Sequence, residues 1–196
     1  MVAIMTQKRT LDLDKVIAAA TELIENQGLP ETTMPNLAKA LGVRSQSLYH
    51  YVKNRAQLLS LVAASRIRLL YQALVDQLIG LSGQDALLKF ADIVRDWLRH
   101  DQALSVLLYH LNEFPDDSAI VQEVMSILEL GDKLHLRTEH IASQHALVGA
   151  VLGYVFLDRM SKDAETPEEA DRNYHDMILR LVNPSTESQL PTSVSN

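Results

Sequence analysis

The chain has 196 residues, 47% of them hydrophobic and 22% charged, with no cysteine and a net charge of -7 at pH 7. That length and apolar fraction suffice for a sizeable buried core, and the absence of cysteine excludes a disulfide framework and a thiolate metal site, so a cytoplasmic location is expected. The longest apolar run, 146–157, is broken by Gly149 and Gly153, and the opening MVAIMTQKRT lacks a long apolar region, so neither a membrane span of roughly 20 residues nor a signal peptide is expected.

The acidic total argues against a nucleic-acid partner only until it is divided along the chain. Up to Leu58, seven basic residues (Lys8, Arg9, Lys15, Lys39, Arg44, Lys53, Arg55) face five acidic ones (Asp12, Asp14, Glu22, Glu25, Glu31), a surplus of +2 that leaves -9 for the remainder. Non-specific affinity for phosphates follows local cationic density, so a basic head on an acidic body is compatible with DNA binding.

Taken in chain order, Leu13, Val16, Ile17, Ala20, Leu23 and Ile24 form a stripe at helical spacing, opened by Asp12 or Asp14 and closed by Gly28. A second helix follows, with Thr33 as N-cap accepting from the amide of Asn36, because Pro35 has no amide to donate. Leu37, Ala38 and Leu41 repeat on its inner face, and Gly42 supplies the positive φ of a sharp turn. Val43 and Leu48 point back to that helix, while Arg44, Ser45, Gln46, Ser47, Tyr49 and His50 crowd the start and outer face of the next one. Polar side chains so placed suit base edges in a major groove. Arg44 cannot accept a capping bond, so Ser45 either caps this helix or contacts bases. Tyr49 is expected against phosphate and sugar, and Lys53 beside the start of the fourth helix, where an amide and an ammonium can hold one phosphate.

From residue 54 to about 78 one long helix is expected, broken by Leu81, Ser82 and Gly83, with the next opened by Asp85. Asp101 opens a helix that stops before Pro115, and DDSAIVQEVMSILELG reads as another ended by Gly131. The stretch 138–160 is apolar almost all round, with Ala146, Gly149, Ala150 and Gly153 set for close approach by another helix. A helix at 167–182 and a polar, Pro/Ser-rich tail at 183–196, expected to be disordered, complete an all-α chain.

The pattern TT(x)3LA(x)2LGV(x)4LY(x)2V(x)2R(x)2LL, running within residues 13–59, resembles the N-terminal segment of the tetracycline-repressor (TetR) family of bacterial transcription regulators. Pro35 and Arg44 depart from it, the first where many members carry a polar or basic residue and the second where the family has a Ser-like cap. The resemblance implies a three-helix DNA-binding head at 8–55 and a helical effector-binding and dimerisation body at 56–182. It further implies a homodimer on a palindromic double-stranded operator, joined through 138–160 and the last helix and released by a small-molecule effector.

For the effector pocket the candidates are Trp97, Tyr109, His110, Phe114, Met125, His145 and Tyr154, apolar area with a few polar handles, as a lipophilic or aromatic compound requires. No Gly-rich phosphate loop, GxSxG elbow or HExxH helix is present, and His140 and His145 fall on diverging helix faces. Neither catalysis, a cofactor nor a metal is expected. The alternative function is an architectural DNA-binding protein, which would share the head but bind many sequences without an effector.

Overall fold

The computed structural model describes residues 11–111, 114, 118–133, 144–160 and 166–182. Among them are nine helices and no strand: α1 (Leu13–Gln27), α2 (Met34–Leu41), α3 (Ser45–Leu48), α4 (Arg55–Leu78), α5 (Gly83–His100), α6 (Gln102–Leu108), α7 (Ala119–Lys133), α8 (Gln144–Met160) and α9 (Pro167–Val182). They form two compact units, one comprising residues up to Arg68 together with Asp101–Val124, the other Leu69–His100 and everything from Met125.

In the first unit α1 packs on α2 and on α6, and α2 on α3. Asp12 caps α1 by accepting from the Lys15 amide at 2.9 Å, and its carboxyl is held below the usual carboxylate range chiefly by hydrogen bonds with the Lys15 side chain and amide. Val16, Ala20, Leu23 and Ile24 are buried, whereas Leu13 is 37% exposed and Ile17 only half-buried, so the expected stripe is split between two faces. Asp101 is buried and bifunctional: Oδ1 accepts from the Leu104 amide at 2.8 Å to cap α6, and Oδ2 accepts from Arg66 Nε at 2.6 Å. Arg68 pairs with Glu123, and the Ile120 amide at the start of α7 donates to Ser60 Oγ at 3.2 Å.

The second unit is built on α5, which packs against α8 and α9, themselves in contact. Tyr174 is fully buried with its ring edge-on to Tyr154, whose hydroxyl donates to the Ala170 carbonyl at 2.6 Å. Arg95, also buried, lies 4.0 Å over the Tyr174 ring and pairs with Asp171 at 2.6 Å. Burial pushes the Tyr174 phenol up, and the Arg95 hydrogen bond holds the Asp171 carboxyl down. Thr166 and Glu169 cap α9 reciprocally: the Glu169 amide donates to Thr166 Oγ1, and Glu169 Oε2 accepts from the Thr166 amide.

Several boundaries differ from the sequence expectations. α5 begins at Gly83 rather than Asp85, because Gly80 and Gly83 both adopt positive φ and complete the turn two residues early. α6 ends at Leu108, well short of Pro115. α7 runs through Gly131, which is buried and does not adopt positive φ, to Lys133. The first part of the expected helix over 138–160, and the expected tail, lie outside the described residues. Among the described helices α4 is long and apolar enough to cross a membrane, with a window of mean hydropathy 1.4, but half of that window is buried inside the protein. The first buried positions of α4, Leu58, Leu59 and Val62, belong to the core of the first unit.

Candidate nucleic-acid interface

The elements of the head follow from local rules of capping and turn geometry. Thr33 Oγ1 accepts from the Asn36 amide at 3.3 Å, as Pro35 at the start of α2 requires, and Met34, Leu37 and Ala38 are buried. Gly42 closes α2 at φ 67, its amide and that of Val43 taking the last carbonyls of the helix, Ala38 and Lys39. A side chain at Gly42 would be strained by that φ, although a Cβ would meet nothing within 4 Å. The turn therefore depends on backbone conformation and not on packing space.

α3 is a single turn whose only buried side chain is Leu48. Arg44 occupies its N-cap position at φ -80, ψ 144, without a side-chain capping bond. The suggestion that Ser45 caps this helix is corrected: Ser45 is already inside α3 and its hydroxyl makes no hydrogen bond among the described residues. Arg44, Gln46, Tyr49 and His50 are exposed, Ser45 and Ser47 half-buried, and none of the six side chains has an internal polar partner among the described residues. The face thus offers guanidinium, amide, hydroxyl, phenol and imidazole groups to solvent, the donors and acceptors that base edges and phosphates take.

Below this face the support is dense. Tyr51 donates from its hydroxyl to the Leu11 carbonyl at 2.6 Å, tying the end of α3 to the start of α1. Arg55 donates through Nε to the Thr32 carbonyl at 2.7 Å and through a terminal nitrogen to the Leu29 carbonyl at 2.6 Å, anchoring the start of α4 to the loop before α2. Its place in the family pattern was the only sequence signal for this role. Lys53 is exposed, as expected, but its amide is already engaged: Gln57 Oε1 accepts from it at 2.6 Å, while Asn54 Oδ1 accepts from the Gln57 amide at 2.8 Å. Of Lys53 itself, only the ammonium is available without breaking that bond.

The effector candidates are dispersed between the two units. Tyr109, His110 and Phe114 belong to the first, where Phe114 is buried and the other two are half-buried. Trp97, half-buried on α5, Met125, 47% exposed on α7, and Tyr154 belong to the second. The side chain of His145 lies outside the described residues. On α8, Leu147, Val151 and Val155 are buried while Ala146, Gly149, Gly153, Phe156, Leu157 and Met160 are exposed, with Ala150 between.

Residues 16–62 match the model of the bacterial regulatory proteins of the tetR family. Over 55 residues the chain is 40% identical to the HTH-type transcriptional repressor DrrR1 of Streptomyces coeruleorubidus, a match that spans 28% of this chain and 20% of that protein. The fold is similar to that of BioQ from Mycobacterium smegmatis, at TM-score 0.64 and 20% identity over 88% of this chain and 96% of that one. It is also similar to the transcriptional regulator FadR from Bacillus subtilis in complex with stearoyl-CoA, at TM-score 0.62 and 15% identity over 85% and 97%. The capped second helix, the glycine turn and the outward polar face all fall within or beside residues 16–62, so the head of this chain is similar to that of the tetR family of bacterial regulatory proteins, and the similarity in sequence is confined to that segment.

Proposed function

We propose that the protein is a homodimeric, ligand-responsive repressor that binds a short palindromic operator and releases it when a small lipophilic or aromatic effector binds the body. The observation that carries the reading is the outward face of α3, where six polar side chains without internal partners among the described residues stand on a buried Leu48. Leaving so many donors and acceptors to water is ordinary on a surface; setting them on one turn behind a left-handed glycine is the geometry of a major-groove reader. Arg44, Gln46, Ser47 and His50 read base edges, with Ser45 beside them now that it caps nothing. Thr33, Tyr49 and the Lys53 ammonium hold the backbone.

Dimerisation is supported by the exposed stripe on α8, whose spacing 146, 149, 153, 156, 160 is that of a helix-helix seam and whose glycines admit a close neighbour. An effector in the body is supported by the similar fold of FadR, which was solved with stearoyl-CoA. The reading is tested by selecting random DNA on the purified protein and sequencing what is retained. A shared site with two-fold symmetry, its half-sites about 34 to 36 Å apart or a multiple of that, is expected. Retained DNA without a common sequence would replace the repressor by the architectural alternative.

A further inference from the structure

We propose that, of the two helices on either side of Gly42, α2 specifies no base pair, and that each operator half-site carries a guanine taken by Arg44 and an adenine taken by Gln46. The inference rests on the DNA-binding reading and narrows it to the bases selected and the side chains that select them. α2 offers a base edge little. In its first turn Met34 is buried, and Pro35, although exposed, has a side chain with neither donor nor acceptor. Asn36 is the one side chain there that pairs a donor with an acceptor, as bidentate reading of adenine requires. Its Nδ2 is already engaged, donating to the Glu31 carbonyl at 2.7 Å and to Glu31 Oε2 at 3.3 Å, so a base would have to displace both bonds. Beyond it Leu37 and Ala38 are buried and Ala40 is apolar, which leaves the exposed Lys39 in the last turn. A first helix that crosses the backbone meets phosphate there, and a point charge on phosphate carries no sequence information.

The other side of the glycine is the reverse case. Leu48 fixes which way α3 faces, since it is the buried side chain of that turn. At the helical pitch Gln46 lies roughly 160° around the axis from Leu48, which makes it the outermost side chain of the turn, with His50 following it at four-residue spacing. Its amide presents a donor and an acceptor side by side, the pair that matches adenine N7 and N6. Arg44 precedes the helix in extended conformation, exposed and without a capping bond, so its guanidinium is held by nothing in the head. A free fork of that kind matches guanine O6 and N7. Base selection therefore passes from the start of α2, where the reading group is tied down, to the turn and outer face of α3, where it is not.

The test is selection of random duplex DNA on the purified wild type and on five variants, read as base frequency at each position of the retained site. Arg44→Ala should lose a guanine and Gln46→Ala an adenine, each preference falling about tenfold or more while the remaining positions hold. Neither change removes an internal side-chain hydrogen bond among the described residues, so both variants should melt as the wild type does. Gln46→Glu keeps the size of the side chain but only accepts, so it should move the same position from adenine to cytosine, whose N4 amine donates. A switched preference is something a disturbed fold does not produce. Asn36→Ala and Lys39→Ala should leave every position of the site unchanged. A shared wild-type site that keeps all its preferences in Arg44→Ala and Gln46→Ala, or loses one in Asn36→Ala or Lys39→Ala, would overturn the inference and leave the regulator standing. Retained wild-type DNA without any common sequence would overturn the regulator itself, and the base assignments with it.

Discussion

Arg44 and Gln46 differ from Lys53 in what surrounds them, and that difference predicts how each fails. The first two side chains are exposed on the turn that opens α3, without partners among the described residues, so the guanidinium fork of Arg44 and the paired amide donor and acceptor of Gln46 are each free to make two bonds to one base. Lys53 has an exposed ammonium, but its amide is held by Gln57, so it offers a point charge alone. Arg44→Ala or Gln46→Ala should therefore cost roughly 1 to 3 kcal/mol at the operator and relax the preferred sequence at one position. Lys53→Ala should weaken binding to operator and random DNA alike and reduce the salt slope by about one unit. Titrations of both DNAs at several salt concentrations separate these outcomes; equal losses on both DNAs for all three variants would abolish the distinction between readers and positioners. The local structure of the head was legible in the sequence because each feature follows from a local rule: a hydroxyl before a proline, a glycine at a turn, polar types on the outer face of a short helix. The Gln57 cap was not, because Lys53, Asn54 and Gln57 admit several pairings and only the coordinates choose one.

At the scale of elements, the helix ends that carry their own caps were readable and those set by distant partners were not. The α9 boundaries agree with expectation because Thr166, Pro167 and Glu169 form a self-contained start. α7 overran its predicted stop because glycine ends a helix only where the chain takes a positive φ, and Gly131 instead lies buried within it. No window of sequence reveals the ties that join Arg66 to Asp101, 35 residues away, or Arg95 to Asp171, 76 residues away. The second tie gives a test. Asp171 has its carboxyl lowered from the ordinary 3.8, first by the Arg95 hydrogen bond, so it stabilises the fold fully above that value and ceases to do so as pH falls through its lower folded value. Asp171→Asn should accordingly melt below wild type at pH 7, because it leaves the buried Arg95 guanidinium without its anion. The gap should close near the acid limit, where the wild-type carboxyl is itself protonated. Thermal melts at a series of pH values decide it, and a gap independent of pH would show that the pair contributes shape rather than charge.

For the molecule as a whole, the face of α8 that the protomer leaves uncovered is as informative as the one it packs. Leu157 and Met160 are 60% and 69% exposed, and they continue the line of Ala146, Gly149 and Gly153 along one side of the helix. A Cβ built at Gly149 or Gly153 meets nothing within 4 Å, so neither glycine is required by packing inside one copy. Glycines that packing in their own chain does not require, set among exposed apolar residues, would admit a second helix that approaches closely. The repressor reading requires such a partner, since one short reading helix buries too little surface for specific binding and two heads on one DNA gain by effective concentration. Gly153→Leu should leave the protomer folded, because its side chain enters open space, while holding two copies apart. Sedimentation should then show a monomer at micromolar concentration, and operator affinity should fall by about a hundredfold or more, with binding to a single half-site unchanged. If Gly153→Leu remained a dimer and bound the full operator as the wild type does, the stripe on α8 would not be the seam between copies, and the joining surface would have to be sought elsewhere on the second unit.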